Sequence, residues 1–346
     1  MGFMSPPAIL AYRGYGNQNV VVFHGHVLDD RALFEAKKED HKRKNFRAML
    51  SRYVSNVIPD VRVKISFMGL EQVVKTNENG YFKTLFDLSA LQVGSGWQEA
   101  TFEVIDKVVE NQEKIVSTAE AYIQKESSDF GVISDVDDTI LVSHATEILK
   151  KLRLILTKNA YTRLPFKGVS AFYKALVKGT GAGSNPIFFV SSSEWNLYDF
   201  LVDFCKVRDI PKGVFLLQNY KKNLKQLLFT GGGNHEHKLI KIREILVFYP
   251  KLKFILIGDS GQRDAEIYCK IVEEFPDRII SIYIRDVSKD KKRDEIQKII
   301  ELLKKKGVEM LMTETTLDAA RDAASKGLID GSSIEPVKKE AKADAS

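Results

Sequence analysis

Phe130-Gly131-Val132-Ile133-Ser134-Asp135-Val136-Asp137-Asp138-Thr139 joins an apolar run to a cluster of acids. Its apolar start, with β-branched Val132 and Ile133, reads as a strand buried on both faces, the kind found in parallel sheets. The acids then fall at the C-terminal end of that strand, where open α/β sheets bind ligands. An Asp-x-Asp-x-Thr string at that place suggests a carboxylate nucleophile beside a magnesium site. By ordinary usage of Asp and Thr the string arises by chance in roughly one chain in twenty of this length. The flanking sequence therefore has to decide whether it is more than a solvated acidic turn.

Downstream, strand-like and helix-like segments alternate, the signature of a parallel sheet with crossovers. Strands are expected over residues 131–134, 187–190, 214–217, 254–257, 279–284 and 308–312, with helices over 196–207, 238–248, 264–274 and 291–306. This predicts a doubly wound α/β domain over residues 128–331. Upstream the texture is β, with Val20–Val27 and Val61–Phe67 running or alternating apolar. Val73–Phe82 reads as a hairpin, because Asn79-Gly80 supplies the positive φ of a tight turn. Residues 1–127 are thus expected to form a smaller β-sandwich of immunoglobulin or transthyretin-like character. Residues 30–54, helical in spacing and rich in Lys and Arg, read as a basic helical insertion in it. Residues 332–346 carry little apolar content and are expected to be a disordered tail.

With 346 residues the chain is long enough for two cores. Lys and Arg outnumber Asp and Glu by 52 to 46, a net charge of +6 that suits anionic partners without requiring one. Nucleic acid is not expected, since Lys42-Arg43-Lys44 and Lys291-Lys292-Arg293 lack interleaved aromatic residues for base stacking. Cys205 and Cys269 lie among apolar residues and read as reduced core thiols rather than a disulfide framework. The start Met1–Pro6 shows neither a signal-peptide pattern nor a myristoylation pattern, and no run approaches a membrane span. The expectation is a cytoplasmic protein. Thr146–Lys158, which mixes apolar and basic residues, reads as an amphipathic helix packed on the core, with peripheral contact to an anionic membrane as its second reading. Nothing in the sequence sets an oligomeric state.

If Asp135 and Asp137 are functional, other strand ends should bring complementary groups to the same crevice. The second strand ends in Ser191-Ser192-Ser193, hydroxyls and amides suited to phosphate oxygens at a helix start, where a serine is also an ordinary cap. The fourth ends in Gly258-Asp259-Ser260-Gly261-Gln262-Arg263-Asp264, two more carboxylates with glycines that permit close backbone approach. Lys238 opens a helix after the Gly231–His237 loop. Asp286 closes a further strand and reads equally as a crevice or a surface acid. The six histidines are scattered and show no Cys/His spacing for zinc, so His237 is at most a neighbour of the crevice.

An acid pair, a hydroxyl cluster, a lysine and a second acid pair, in this order at strand ends, resemble the haloacid dehalogenase-like (HAD-like) superfamily of phosphotransferases. More narrowly, Asp135–Thr139, Trp195–Tyr198, His237-Lys238, Gly258–Gly261 and Tyr283–Val287 look like the actin-patch-associated phosphatidate phosphatase family and its bacterial relatives. The resemblance covers residues from about 128 to 330. It implies that Asp135 is the nucleophile, that Asp137 is the general acid and base, and that Lys238 and Ser191 steady the phosphoryl oxygens, with Thr139 and Ser192 also at the substrate. It further implies Mg2+ held by Asp135, Asp137 through its backbone carbonyl, and Asp259, with Asp264 counted in the metal group or positioning Lys238. The chain departs from the family's Ser-Asn-Ser-Pro-Trp pattern at Ser192 and Glu194, which alters the rim of the pocket. The space between Thr139 and Ser191 is too short for a large cap domain, so an open site is expected.

Three functions follow. The first is a magnesium-dependent phosphatase acting on phosphatidate through an aspartyl-phosphate. The second is the same chemistry on a soluble phosphomonoester or phosphoprotein. The third is a binding or scaffold protein that relies on the β domain.

Overall fold

The computed structural model describes residues 6–29, 56–136, 168–181, 184–218, 235–261, 263–287 and 290–343. Several expectations concern residues outside this set: the basic insertion at 30–54, Asp137, Thr139, the segment 146–158 and the loop at 231–234. The chain divides into two compact units. The first holds residues up to Glu126 together with Trp195–Leu201, and the second begins at Ser127.

The first unit is built of β1 (Pro7–Ala11), β2 (Gly14–Gly16), β3 (Val20–Asp29), β4 (Arg62–Phe67), β5 (Leu70–Lys75), β6 (Tyr81–Asp87), β7 (Gly96–Val104) and β8 (Val116–Ile123). They form a mostly antiparallel sheet in the order β1-β3-β2-β8-β7-β4-β5, with β6 paired to β3. Period-two alternation along β4 buries Val63, Ile65 and Phe67 and turns Arg62, Lys64 and Ser66 outward. Phe23, Phe67, Phe82, Phe86 and Phe102 meet in one core, with the Phe23 and Phe67 rings 5.0 Å apart. Each such ring contributes roughly 1.5–3 kcal/mol by leaving water.

The hairpin expected around Asn79-Gly80 is not formed: β6 pairs with β3, in register from Val20 opposite Asp87 to His26 opposite Tyr81. The Asn77 side chain accepts from Asn79 N and Tyr81 N, so residues 77–81 make an Asx-type turn that redirects the chain. The hairpin lies one strand earlier, where Met68 and Gly69 both take positive φ between β4 and β5. This unit also contains an aromatic and histidine cluster. Tyr12 stacks on Trp195 at 4.0 Å and its hydroxyl bonds His26 Nδ1 at 2.9 Å.

The second unit carries a six-stranded parallel sheet: β9 (Gly131–Asp135), β10 (Ile187–Glu194), β11 (Val214–Gln218), β12 (Phe254–Asp259), β13 (Ile279–Arg285) and β14 (Glu309–Thr313). Its order is β11-β10-β9-β12-β13-β14. Counted within this sheet the order is 3-2-1-4-5-6, so strand order reverses between β9 and β12. The described α-helices are α1 (Val169–Lys178), α2 (Tyr198–Val207, its first turn counted in the first unit), α3 (His235–Phe248), α4 (Asp264–Glu274), α5 (Asp290–Lys305), α6 (Thr316–Ser325) and α7 (Ile334–Ala343). The central strands are apolar on both faces, as in the fully buried run Phe254–Asp259. Cys205 and Cys269 are buried free thiols. Among the described residues no helix is long and apolar enough to cross a membrane.

The expected disordered tail is corrected: after a 3-10 turn at Gly331–Ser333, residues 334–343 form α7. The segment is polar on average, but Ile334, Val337 and Ala341 share one helical face and Val337 is fully buried. The Glu340 carboxylate also accepts from Ser170 N at 3.1 Å and Ala171 N at 2.8 Å, the open amides at the start of α1. Gly168, at φ 80°, lets the two helices approach, since a Cβ there would lie 2.8 Å from the Val337 carbonyl oxygen.

Candidate functional site

Every strand of the parallel sheet runs the same way, so the residues ending β9, β10 and β12 arrive at one edge. Asp135 ends β9 and registers with Val190 of β10, one residue before Ser191. Asp259 ends β12, which lies on the other side of β9. The order of strands reverses at this pair, and open α/β sheets form their ligand crevice at such a point.

Asp135, Asp259 and Asp264 each offer a carboxylate oxygen, and these oxygens lie within 4.8 Å of one another. Lys238 Nζ reaches into the group, 2.8 Å from Asp135 Oδ1 and 3.2 Å from Asp264 Oδ1. The side chains of Lys238, Asp135 and Asp264 are 2%, 3% and 0% exposed, so these are ion pairs in a dry setting. Lys238 sits in the first turn of α3, where a helix dipole disfavours a cation. Two carboxylates offset that cost and the loss of hydration. With all three acids ionised, three negative charges and one positive charge leave a sum of minus two. Hard oxygen donors with that balance suit a divalent cation.

The backbone holds these side chains in place. Asp259 N donates to Asp264 Oδ2 at 3.1 Å, and Gly261 N donates to Asp259 Oδ1 at 2.6 Å. Gly258 is required by this closeness, because a Cβ there would stand 2.5 Å from Asp264 Oδ2. Asp264 is the first residue of α4, where an acid complements the helix dipole. Beneath the group, Tyr268 donates to the Ile257 carbonyl at 2.7 Å. Burial, followed by the charges of Asp264, Asp135 and Asp259, raises its pKa well above the ordinary phenol value, so it remains a neutral donor. Tyr173, its pKa raised chiefly by burial, bonds Ser134 Oγ at 2.6 Å just before Asp135.

Of the residues singled out from the sequence, the structure brings together Asp135, Lys238, Asp259 and Asp264. Ser191 is fully buried within β10, next after Val190, and its Oγ accepts from Ser193 N at 2.9 Å; Ser192 is half-buried. His237 is half-buried in α3. Asp137 and Thr139 lie beyond the last described residue of this loop. Two features were not assigned from the sequence. Ser193 Oγ is buried and finds no hydrogen-bond partner among the described residues. Asp286, left undecided between crevice and surface, has a side chain only 6% exposed that pairs with Arg293 at 2.8 Å. Both belonged to strand-end runs visible in the sequence, but their burial was not.

The fold and the cluster define an α/β protein with an acidic, lysine-braced crevice at its strand ends. Residues 130–286 match the family described as phosphatidate phosphatase APP1, catalytic domain. Phosphatidate phosphatase APP1 of Saccharomyces cerevisiae is 30% identical over 200 residues, covering 55% of this chain and 32% of the relative. An uncharacterized protein of Schizosaccharomyces pombe is 24% identical over 269 residues, covering 74% of this chain and 42% of its own length. The chain thus spans less than half the length of either relative. Among solved structures, a carbohydrate acetylesterase from Xanthomonas citri is 10% identical with a TM-score of 0.30, covering 97% of this chain and 74% of its own. That likeness carries no argument about fold or activity.

Proposed function

We propose that the chain is a divalent-cation-dependent phosphatase that hydrolyses a phosphate monoester, with phosphatidate as substrate and diacylglycerol and phosphate as products. The observation that carries this is the buried group of Asp135, Asp259, Asp264 and Lys238 at the reversal point of the parallel sheet. The family match of residues 130–286 and the similarity to the yeast phosphatidate phosphatase support the choice of substrate. The 3-2-1-4-5-6 strand order supports a doubly wound, haloacid dehalogenase-like reading of the second unit. The inward phenylalanines of β3, β4, β6 and β7 support a sandwich reading of the first.

Asp135 acts as nucleophile: its carboxylate oxygen forms a bond to phosphorus as the bond from phosphorus to the leaving oxygen breaks. Asp137, two residues on, protonates that oxygen; its role rests on the sequence motif. Asp137 then takes a proton from water, whose oxygen attacks phosphorus of the aspartyl-phosphate, releasing phosphate and restoring Asp135. Lys238, beside Asp135, neutralises charge that gathers on the phosphoryl oxygens, and the Ser191 hydroxyl donates to one of them. Asp135, Asp259 and Asp264 would hold Mg2+ with the backbone carbonyl of Asp137. A bound Mg2+ would supply the charge neutralisation that lets an anionic carboxylate approach an anionic phosphate. In this reading the enzyme works in the cytoplasm and meets its lipid at a membrane surface.

The test is phosphate release, in Mg2+, from phosphatidate in mixed micelles compared with soluble sugar phosphates. Faster turnover of phosphatidate is expected. A strong preference for the soluble compounds would reject the lipid assignment and leave the phosphatase chemistry standing.

A further inference from the structure

The loop that carries Asp259 is tied to the end of the neighbouring strand by a clasp outside the acidic group itself. Ser260, fully buried, donates its N–H to the Arg285 carbonyl at 2.8 Å. Its hydroxyl oxygen accepts from Val287 N at 2.7 Å. A serine hydroxyl that accepts in this way must send its proton elsewhere, and the acceptor is Asp286 Oδ1 at 3.4 Å. The other carboxylate oxygen of Asp286 pairs with the Arg293 guanidinium at 2.8 Å, while Asp286 N donates to the Thr313 carbonyl at 2.9 Å. Three consecutive strands are thus joined at their ends, β12 through Ser260, β13 through Asp286 and β14 through Thr313.

Asp286 itself is not one of the clustered carboxylates, and its partners point it toward Ser260 and Arg293. Its effect on the crevice runs through the chain: Ser260 lies between Asp259 and Gly261, and Gly261 N is the donor that holds Asp259 Oδ1 at 2.6 Å. Room for drift is small on this side, because a Cβ on Gly261 would meet Asp259 Oδ1 at 2.9 Å and Val287 Cγ2 at 3.0 Å. Loss of the clasp frees the Asp259 carboxylate to rotate away from the oxygens of Asp135 and Asp264. We propose that Asp286, braced by Arg293, is a positioning residue that fixes the Asp259 loop through Ser260 and thereby sets the affinity of the crevice for a divalent cation. This rests on the reading of Asp259 as a cation ligand.

The test is direct Mn2+ binding to the full chain, followed by the electron paramagnetic resonance signal of free Mn2+. It compares wild type, Asp286→Ala, Asp286→Asn and Arg293→Gln, with thermal unfolding in chelator and the Mg2+ dependence of aryl phosphate hydrolysis measured alongside. Partners one layer outside a metal site set its affinity by about 10- to 100-fold, so Asp286→Ala is expected to bind Mn2+ about tenfold more weakly and to recover its hydrolysis rate at saturating Mg2+. Asp286→Asn, which keeps an acceptor for Ser260, is expected between wild type and Asp286→Ala. Should Asp286→Ala fail to fold, Arg293→Gln decides, since Arg293 is 46% exposed and its replacement leaves the core alone. A loss of Mn2+ affinity there, up to about tenfold, supports the clasp. Unchanged affinity in the folded variants overturns the role of Asp286 while leaving the site standing. Absence of Mn2+ binding in wild type overturns both.

Discussion

Lys238→Met keeps the length of the side chain and removes the ammonium that pairs with Asp135 and Asp264 in the crevice. The contacts at 2.8 Å and 3.2 Å correspond to attractions of about 6 and about 5 kcal/mol at an effective dielectric of ~20. Desolvation of the charges takes back much of this, and removing one partner from such a buried arrangement costs about 3–5 kcal/mol. The variant is therefore expected to lose about that much stability in a chelator, where its three acids face one another without a cation. A divalent cation supplies the missing charge, and a ligand at a hundred times its dissociation constant adds about 2.7 kcal/mol. The stability gap should accordingly narrow when Mg2+ is added. Urea unfolding of wild type and variant, in chelator and in Mg2+, reads all four values. Phosphate release should fall by about 10²- to 10³-fold, the usual loss when one electrostatic partner of a transition state is removed. Equal stability in chelator together with equal gains on adding Mg2+ would refute the charge-balanced reading of the cluster.

Burial pushes the His26 pKa down from 6.5 to about 3, among Tyr12, His24 and Tyr81. The unfolded chain then binds a proton that the folded one refuses, so stability is full above pH 6.5 and falls as pH drops toward 3. The loss reaches about 2 kcal/mol at pH 5. His26→Gln should flatten that slope in denaturant titrations, and an unchanged slope would remove His26 as its cause. Glu340→Ala strips the start of α1 of its carboxylate acceptor and should cost about 0.5–2 kcal/mol, the range for a lost N-terminal cap. A chain truncated after Ser333 should lose more, by exposing what Val337 covers, and unaltered unfolding of both would contradict the docking of α7.

Much of the second unit was legible because its strands are buried on both faces and read as unbroken apolar runs. Gly131–Ser134, Ile187–Val190 and Phe254–Ile257 were placed correctly, and the structure lengthens them to Asp135, Glu194 and Asp259. Polar residues continue the ladder there, and those are the residues of interest. Asp135 and Asp259 could be listed from strand ends, and Asp264 and Lys238 from helix starts in the same motif series, since a parallel sheet delivers such positions to one edge. Their mutual distances could not be, because the loops that close the gap hold no periodic pattern. The β5–β6 hairpin was misread because Asn-Gly marks a turn without naming the strand that follows as a partner. The packing of Phe82 and Phe86 with Phe23 favours pairing with β3 instead. The α7 helix was missed because its stability lies in one buried valine and a glutamate that caps a helix 170 residues earlier. Asp286 was undecidable for a similar reason: its partners, Ser260 and Arg293, come from other segments.

Asp135→Asn probes Asp135 as the nucleophile of a cation-dependent phosphatase. The substitution keeps shape and hydrogen-bonding size while removing the attacking carboxylate. Hydrolysis of a generic aryl phosphate by the purified full chain in Mg2+ should be readily measured for wild type and absent above background for Asp135→Asn, with both proteins folded. Undiminished hydrolysis by the variant would contradict the account.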